Sequence, residues 1–267
     1  MTEALDCARI EGHVLPALRP LLRRVTVLEE VDSTNRYLDR MAPAERHGHA
    51  VLADRQTAGR GRRDRRWHSP AGGNLYFSLG WRFRRADLPF STLPLLAAVA
   101  AAEALRRFGL ERHGIKWPND ILVEGKKLAG ILVEVFGEAA GPVTAVIGVG
   151  VNMRMPMSSG ASIDQPWVNL NALPGGDVSR NLLAGTLINR LVGACDTFAS
   201  EGVAPYLERW RTFDAFDGRA VRLFSGGRTT DGVYAGIAPN GALILENGEG
   251  RSEHHAGEVS LRAAEAN

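Results

Sequence analysis

The chain has 267 residues, of which 45% are hydrophobic and 23% charged, with a formal net charge of +2. That composition suits a globular protein with one large domain and one small one, and so small a net charge excludes a polyanion binder that works through its overall field. Cys7 and Cys195 are far apart and lack ligand-like spacing, which excludes a disulfide framework and a cysteine-based zinc site and fits a reducing cytoplasm.

Residues 1–24 show weak helical periodicity at Leu15, Leu18 and Leu22, with proline breaks at Pro16 and Pro20. They carry no secretory signal and leave no room for a folded DNA-reading domain. "RVTVLEEVD" (24–32) predicts a strand, "DSTNRYLDRMA" a cap and short helix, and "HAVLADRQ" (49–56) a second strand. "NLYFSLGWRF" (74–83) alternates, with Leu75, Phe77, Leu79, Trp81 and Phe83 on one face, which predicts a half-buried strand. The longest apolar run, 93–105, is interrupted by Glu103 and too short to span a bilayer; it predicts a buried helix ending at Gly109.

Three strand-like pieces follow at 113–127, 128–137 and 145–153, with Gly125 suited to a hairpin turn. Residues 154–177 are rich in Pro, Gly, Ser and Asn and read as a loop; two helices fill 178–213. From about Asp217, Gly-Gly, Asp-Gly and two Asn-Gly pairs punctuate short alternating segments, predicting a small all-β barrel. The larger part is α+β with a mixed or antiparallel sheet, because regular βαβ alternation is missing.

Four motifs carry chemistry. "GRGRRDRRWH" (59–68) places five arginines within 60–66, behind Gly59 and Gly61 and ahead of Trp67. Arginine forks suit phosphate and carboxylate oxygens, and glycines let backbone approach a ligand. The stretch is neither a Walker loop nor a dinucleotide fingerprint. Taken alone it fits a solvated loop, a small anionic ligand or nucleic acid, although Asp64 cancels charge inside the cluster. "DSTN" (32–35) supplies helix-cap residues, yet three uncharged hydrogen-bonding side chains in a row also suit a neutral urea or amide. "KWPND" (116–120) reads as a turn into a strand, with Lys127 seven residues beyond Asp120 beside an apolar run. Lys126 and Lys127 provide one amine for each strand face. "GVGVNM" (148–153) places two glycines for tight packing before Asn152.

In this order, "DSTN", "RQTAGRGRRDRRW", "SPAGGNLYFSL", "KWPNDILVEGKKLAGILVE" and "GVGVNM" resemble the biotin protein ligases. The resemblance covers about residues 25–153 and extends more loosely to "AGEVSLR" near the end. It implies a class II synthetase-like catalytic domain over 1–215, with a mixed sheet flanked by helices, and a small SH3-like β-barrel over 216–267. It also implies a two-step reaction. Biotin and ATP, with Mg²⁺, give biotinyl-5′-AMP; a lysine of the biotin carboxyl carrier protein then takes the biotinyl group.

Carried over by motif, Ser33, Thr34, Asn35 and Gln56 would line the biotin pocket. Gly59, Arg60, Gly61 and Arg62 would form the closing loop, with Gly130 giving backbone access to biotin. Arg62 and Arg65 would meet phosphate, and Trp67 would cover the ligands. Lys127 would contact the biotin carboxylate and the α-phosphate; Asp120 would receive the acceptor lysine; Asn119 and Asn152 would sit near the nucleotide or its metal. Lys127, Arg62 and Asp120 are therefore the expected catalytic set, and no protein-borne metal ligands are expected. The family loop usually carries glycine where this chain has Asp64, a change that should restrict the loop and lower its charge. Many relatives carry an N-terminal DNA-binding domain, but this chain begins too close to its first strand, so no sequence-specific DNA binding is expected. No membrane partner is expected either. Family members pair through the central sheet, which leaves a homodimer open. The competing readings are a lipoate- or octanoate-handling relative, for which the polar "STN" triplet would be useless, and a nucleic-acid module built on the arginine loop.

Overall fold

The computed structural model describes residues 3–137, 141–160, 163–225, 227–256 and 259–263. In "AGEVSLR", Gly257 and Glu258 lie outside the described residues. A seven-stranded mixed sheet forms the larger layer, in the order β1-β2-β3-β7-β6-β5-β4. Its strands are β1 (Arg24–Val31), β2 (His49–Gln56), β3 (Leu75–Phe83), β4 (His113–Lys116), β5 (Asp120–Val123), β6 (Lys126–Phe136) and β7 (Val143–Val151). Among the described strands of this sheet, β1 and β2 pair in parallel and the other neighbours antiparallel. They are joined through α2 (Thr34–Asp39) and α3 (Pro43–Arg46), following a short α1 (Cys7–Gly12). Helices α4 (Leu93–Arg106), α5 (Arg180–Glu201) and α6 (Ala204–Phe213) complete the layer.

The alternation in β3 holds, but the strand is buried on both faces rather than one. Its large apolar side chains join the core with α4 and α5. Tyr76, Ser78 and Gly80 face the other way: α2 covers Ser78, α3 covers Gly80, and Tyr76 donates its hydroxyl proton to Pro70 O at 2.9 Å. The α3 backbone runs so close that a Cβ at Gly80 would fall 2.3 Å from Arg46 O. A small polar face marks close packing here, not water.

The expected piece at 113–127 is two strands, because "WPN" reverses the chain: Asn119 N donates to Lys116 O (3.1 Å), and Lys116 stands opposite Asp120. The Glu124-Gly125 turn has φ of 50° and 76°, the left-handed pair that a two-residue hairpin requires. This hairpin brings Lys127 back beside Asp120.

A second, antiparallel sheet has the order β11-β10-β9-β8-β12, from β8 (Ala220–Ser225), β9 (Arg228–Ile237), β10 (Leu243–Asn247), β11 (Gly250–His254) and β12 (Val259–Ala263). The Asp231-Gly232 pair, expected at a turn, lies inside β9. There a Cβ on Gly232 would meet Glu246 O at 2.7 Å, so the glycine serves strand contact. Tyr234, Leu243, Leu245 and Leu261 belong to the same hydrophobic core as α4 and α5. At the junction Asp214 Oδ2 accepts from Trp210 Nε1 (2.9 Å) and Tyr234 OH (2.8 Å), and Trp117 Nε1 donates to Gly241 O (3.1 Å). Among the described residues no helix is long and apolar enough to cross a membrane.

Candidate active site

A cavity of about 170 Å³ opens over the middle of the large sheet. Its floor is the start of α2. Ser33 is the residue before the first helical turn, but its hydroxyl makes no capping bond; its own N–H is held by Asp32 Oδ1 at 2.8 Å. The capping reading of "DSTN" therefore fails for Ser33, which with Thr34 and Asn35 lines the cavity instead, while Asp32 pairs with Arg40. Thr34 N and Oγ1 both donate to Gln56 Oε1 (2.9 and 3.2 Å), and Gln56 Nε2 donates to Ser69 Oγ (3.0 Å). Ser78 Oγ lies 2.7 Å from Thr34 Oγ1 and donates to Asn35 Oδ1 at 2.6 Å. The result is a buried, uncharged polar network whose orientation is fixed by mutual pairing.

The arginine loop forms the roof. Arg63 and Asp64 have φ of 55° and 57°, and Arg65 N donates to Arg62 O at 3.2 Å, so the tip is a type I′ turn. Aspartate tolerates this backbone better than most residues, so Asp64 is accommodated in the turn without the family's glycine. An isolated bridge pairs Arg60 with Arg66, and Gly61 N donates to Arg65 O (2.7 Å). Arg60 Nη1 reaches Glu134 Oε1 at 2.6 Å. Arg62 donates to Asn119 Oδ1 at 3.1 Å and to the carbonyl of Ala256 in the second sheet's final turn. Burial and the adjacent Arg63 pull the Arg62 guanidinium below its ordinary value. Arg63, Asp64, Arg65 and Arg66 are exposed, and the three arginines among them also border the cavity.

Trp67 turns under the loop and lies across Gly130 and Gly150. A Cβ at Gly150 would sit 2.5 Å from its ring, and one at Gly130 2.9 Å. Gly148 leaves room for Asn35, whose Oδ1 would be 2.3 Å from a Cβ there. These glycines shape the cavity from below through close approach.

At one end stands Lys127. Its Nζ is 2.8 Å from Asp120 Oδ1 and 5.2 Å from the Trp67 ring centre. Its backbone is held by Pro166 O and Val168 N, and Asn152 Nδ2 donates to its carbonyl at 3.2 Å. Lys126 is exposed, so one amine does face solvent and one the cavity. Lys116 is beside this pair; burial lowers its amine below the ordinary lysine value, and Asp120 partly offsets that. The cavity thus joins a neutral polar floor to a cationic end, a pairing suited to an amide- or urea-bearing carboxylate and an anion brought against it.

A family model described as the Biotin/lipoate A/B protein ligase family matches residues 27–152, and one described as the Biotin protein ligase C terminal domain matches 218–262. The chain is 42% identical over 242 residues to the bifunctional ligase/repressor BirA of Escherichia coli, covering 90% of this chain and 75% of that protein. It belongs to the biotin protein ligase family. It is also 36% identical to a biotin--[acetyl-CoA-carboxylase] ligase of Paracoccus denitrificans, over 87% of this chain and 98% of that one. The structure of the biotin protein ligase from Aquifex aeolicus in complex with biotin and ATP superposes with a TM-score of 0.76 at 27% identity, covering 91% of this chain and all of that one.

In this biotin protein ligase the cavity brings together Ser33, Thr34, Asn35, Gln56, Arg60, Gly61, Arg62, Arg65, Trp67, Asn119, Asp120, Lys127 and Gly130, all expected from sequence. Two expected residues stand elsewhere. Gly59 does not line the cavity; it packs against Ser69, and its carbonyl accepts from Trp67 N (2.9 Å). Asn152 lines a broader groove alongside and braces Lys127 from behind. Sequence reasoning missed Ser78, Lys116 and Glu134. Ser78 had a signal, a hydroxyl on the strand face that α2 covers. For Lys116 the signal was its place at the head of "KWPND".

Proposed function

We propose that the chain activates biotin with ATP to biotinyl-5′-AMP and transfers the biotinyl group to a lysine of a biotin carboxyl carrier protein. One observation carries this reading: a neutral, mutually paired polar floor ends at Lys127 and Arg62, under a loop whose roof contacts reach both sheets. The floor suits the ureido ring, and the cationic end suits the carboxylate and the α-phosphate.

In the first step a biotin carboxylate oxygen attacks the α-phosphorus and pyrophosphate leaves. Lys127 and Arg62 offset the repulsion between the two anions and the charge that develops on the phosphoryl oxygens. An incoming anion competes with Asp120 for Lys127. Asp120 is then released to hold the acceptor lysine's ammonium and take its proton, and the neutral amine attacks the mixed anhydride to give the amide and AMP. Trp67 shields the anhydride from water. Arg65 stands at the cavity edge for phosphate, and Asn119 positions Arg62.

Mg²⁺ is part of the proposal as a partner of the triphosphate. Asn119 and Asn152 would sit near the nucleotide or its metal, and the ion would supply neutralising charge for the triphosphate oxygens. We further propose the division at residues 215 and 216, and a cytoplasmic setting consistent with the two free cysteines. Biotin-dependent exchange of labelled pyrophosphate into ATP, followed by labelling of one carrier lysine, tests the reading. A protein that performs neither step, or that prefers lipoate to biotin in competition, does not carry the proposed activity.

A further inference from the structure

Glu134 lies on β6 among residues that sequence reads as an ordinary strand, yet it touches both the roof and the floor of the cavity. Its Oε1 accepts from Arg60 Nη1 at 2.6 Å, and its Oε2 accepts from Asn35 Nδ2 at 2.8 Å. We propose that Glu134 is a positioning residue that sets the polarity of Asn35 and latches the arginine loop over the biotin cavity. The assignment rests on the biotin reading above.

The polarity follows from hydrogen-bond chemistry. A carboxylate only accepts, so the Asn35 amide must turn its nitrogen toward Glu134. The same nitrogen also donates to Leu132 O (3.4 Å), and the amide oxygen is left facing Ser78 Oγ (2.6 Å) and Gly148. A flipped amide would set two oxygens against each other at Glu134. Asn35 is therefore held as an acceptor toward the floor, the sense that a ligand N–H requires.

The latch follows from charge. Arg60 and Glu134 side chains are 33% and 20% exposed, so their pair is shielded from much of the solvent. Charge-assisted bonds of this kind are stronger and shorter than neutral ones. Arg60 opens the loop and pairs across the turn with Arg66, so tension at Glu134 is transmitted to the whole roof. Glu134 lies away from Lys127, Asp120 and Arg62, the residues at the cationic end, and so it acts through Asn35 and Arg60 on retention of biotin.

The test uses the full chain in pyrophosphate exchange, with biotin varied at saturating ATP. Glu134→Gln cannot accept from both partners and should raise the KM for biotin about tenfold, the scale of one charge-assisted bond. Its kcat should change by less than about twofold, because the reacting end is intact. In an Arg60→Ala background the same substitution should cost clearly less, since one of its two partners is already gone. An unchanged KM, equal losses in KM and kcat, or full additivity overturns the assignment. Should Glu134→Gln fail to fold by circular dichroism, Glu134→Asp, which keeps the charge but shortens the reach to Arg60 and Asn35, must still raise the KM with kcat kept, or the latch is rejected. Wild-type protein without biotin-dependent exchange would sink the biotin reading itself; wild-type exchange with an unaltered variant sinks only the role of Glu134.

Discussion

Lys127 Nζ and Asp120 Oδ1 are 2.8 Å apart, with side chains only 15% and 18% exposed, on two strands joined by a tight hairpin. Each is the counter-ion of the other, and each is also an expected partner of a reacting group. Lys127→Ala removes the cation at the point where two anions meet and should lower the rate of pyrophosphate exchange by about 10²–10³-fold. It also strands a largely buried carboxylate, so the melting temperature should fall by a few degrees, about 1 kcal/mol of stability. Calorimetry alongside exchange kinetics separates the effects. Full activity in a folded variant would remove Lys127 from the mechanism.

Gly150→Ala is the smallest change that should disturb the roof. Its Cβ would lie 2.5–2.7 Å from three Trp67 ring atoms, and Trp67 has the Gly130 backbone on its other contact. The ring must shift. We expect weaker biotin binding by about an order of magnitude, a loss of roughly 1.4 kcal/mol, with a change in tryptophan fluorescence. Unaltered affinity measured by titration calorimetry would show that Trp67 does not cover the ligand.

Asp64 holds φ of 57° in the exposed loop tip. Glycine adopts that backbone freely, so Asp64→Gly should leave stability within about 0.5 kcal/mol of the parent. Removing a carboxylate from among five arginines should instead tighten nucleotide binding at low salt and make it more salt-dependent. A valine at the same site should destabilise the tip by about 1–2 kcal/mol through its strained φ. Salt titrations of ATP affinity across the three proteins check the ordering.

Acid stability should be governed in part by His49. It is buried, its Nε2 is 2.9 Å from Thr26 Oγ1, and burial with help from Arg24 lowers it from an ordinary 6.5 to about 4. The unfolded chain binds this proton more readily than the folded one between those values. The stabilisation is thus complete above about pH 6.5 and is lost as the pH falls through about 4, at most roughly 3 kcal/mol for this group. His113, buried between Leu110 O and Ala102 O, shifts the same way. Urea melts of His49→Gln across this range should show a flatter acid limb than the parent. Parallel limbs would mean that other groups set the acid transition.

Local signals carried most of the fold. The β3 alternation, the Gly109 stop and the Glu124-Gly125 turn all act over a few residues, and their physics is in the nearby sequence. What covers a strand is not. Ser78 and Gly80 read as a wet face because α2 and α3, some 30–45 residues earlier, are what bury them. Asp231-Gly232 read as a turn for the same reason: the demand for glycine comes from Glu246 on the next strand. At the site, motif spacing pointed to most of the residues that line the cavity. Glu134 escaped because its partners Arg60 and Asn35 lie 74 and 99 residues away, and no local rule shows that Asn152, expected near the nucleotide or its metal, also braces the Lys127 carbonyl.

Arg62 ties the loop at once to the β4–β5 turn through Asn119 and to the second sheet through the Ala256 carbonyl. Lifting the roof therefore breaks both attachments in a single event. Traffic in and out of the cavity is thereby clocked by how firmly the smaller sheet holds its place, so a substitution far from the chemistry, in the strands behind Ala256, should change how long the activated intermediate is kept.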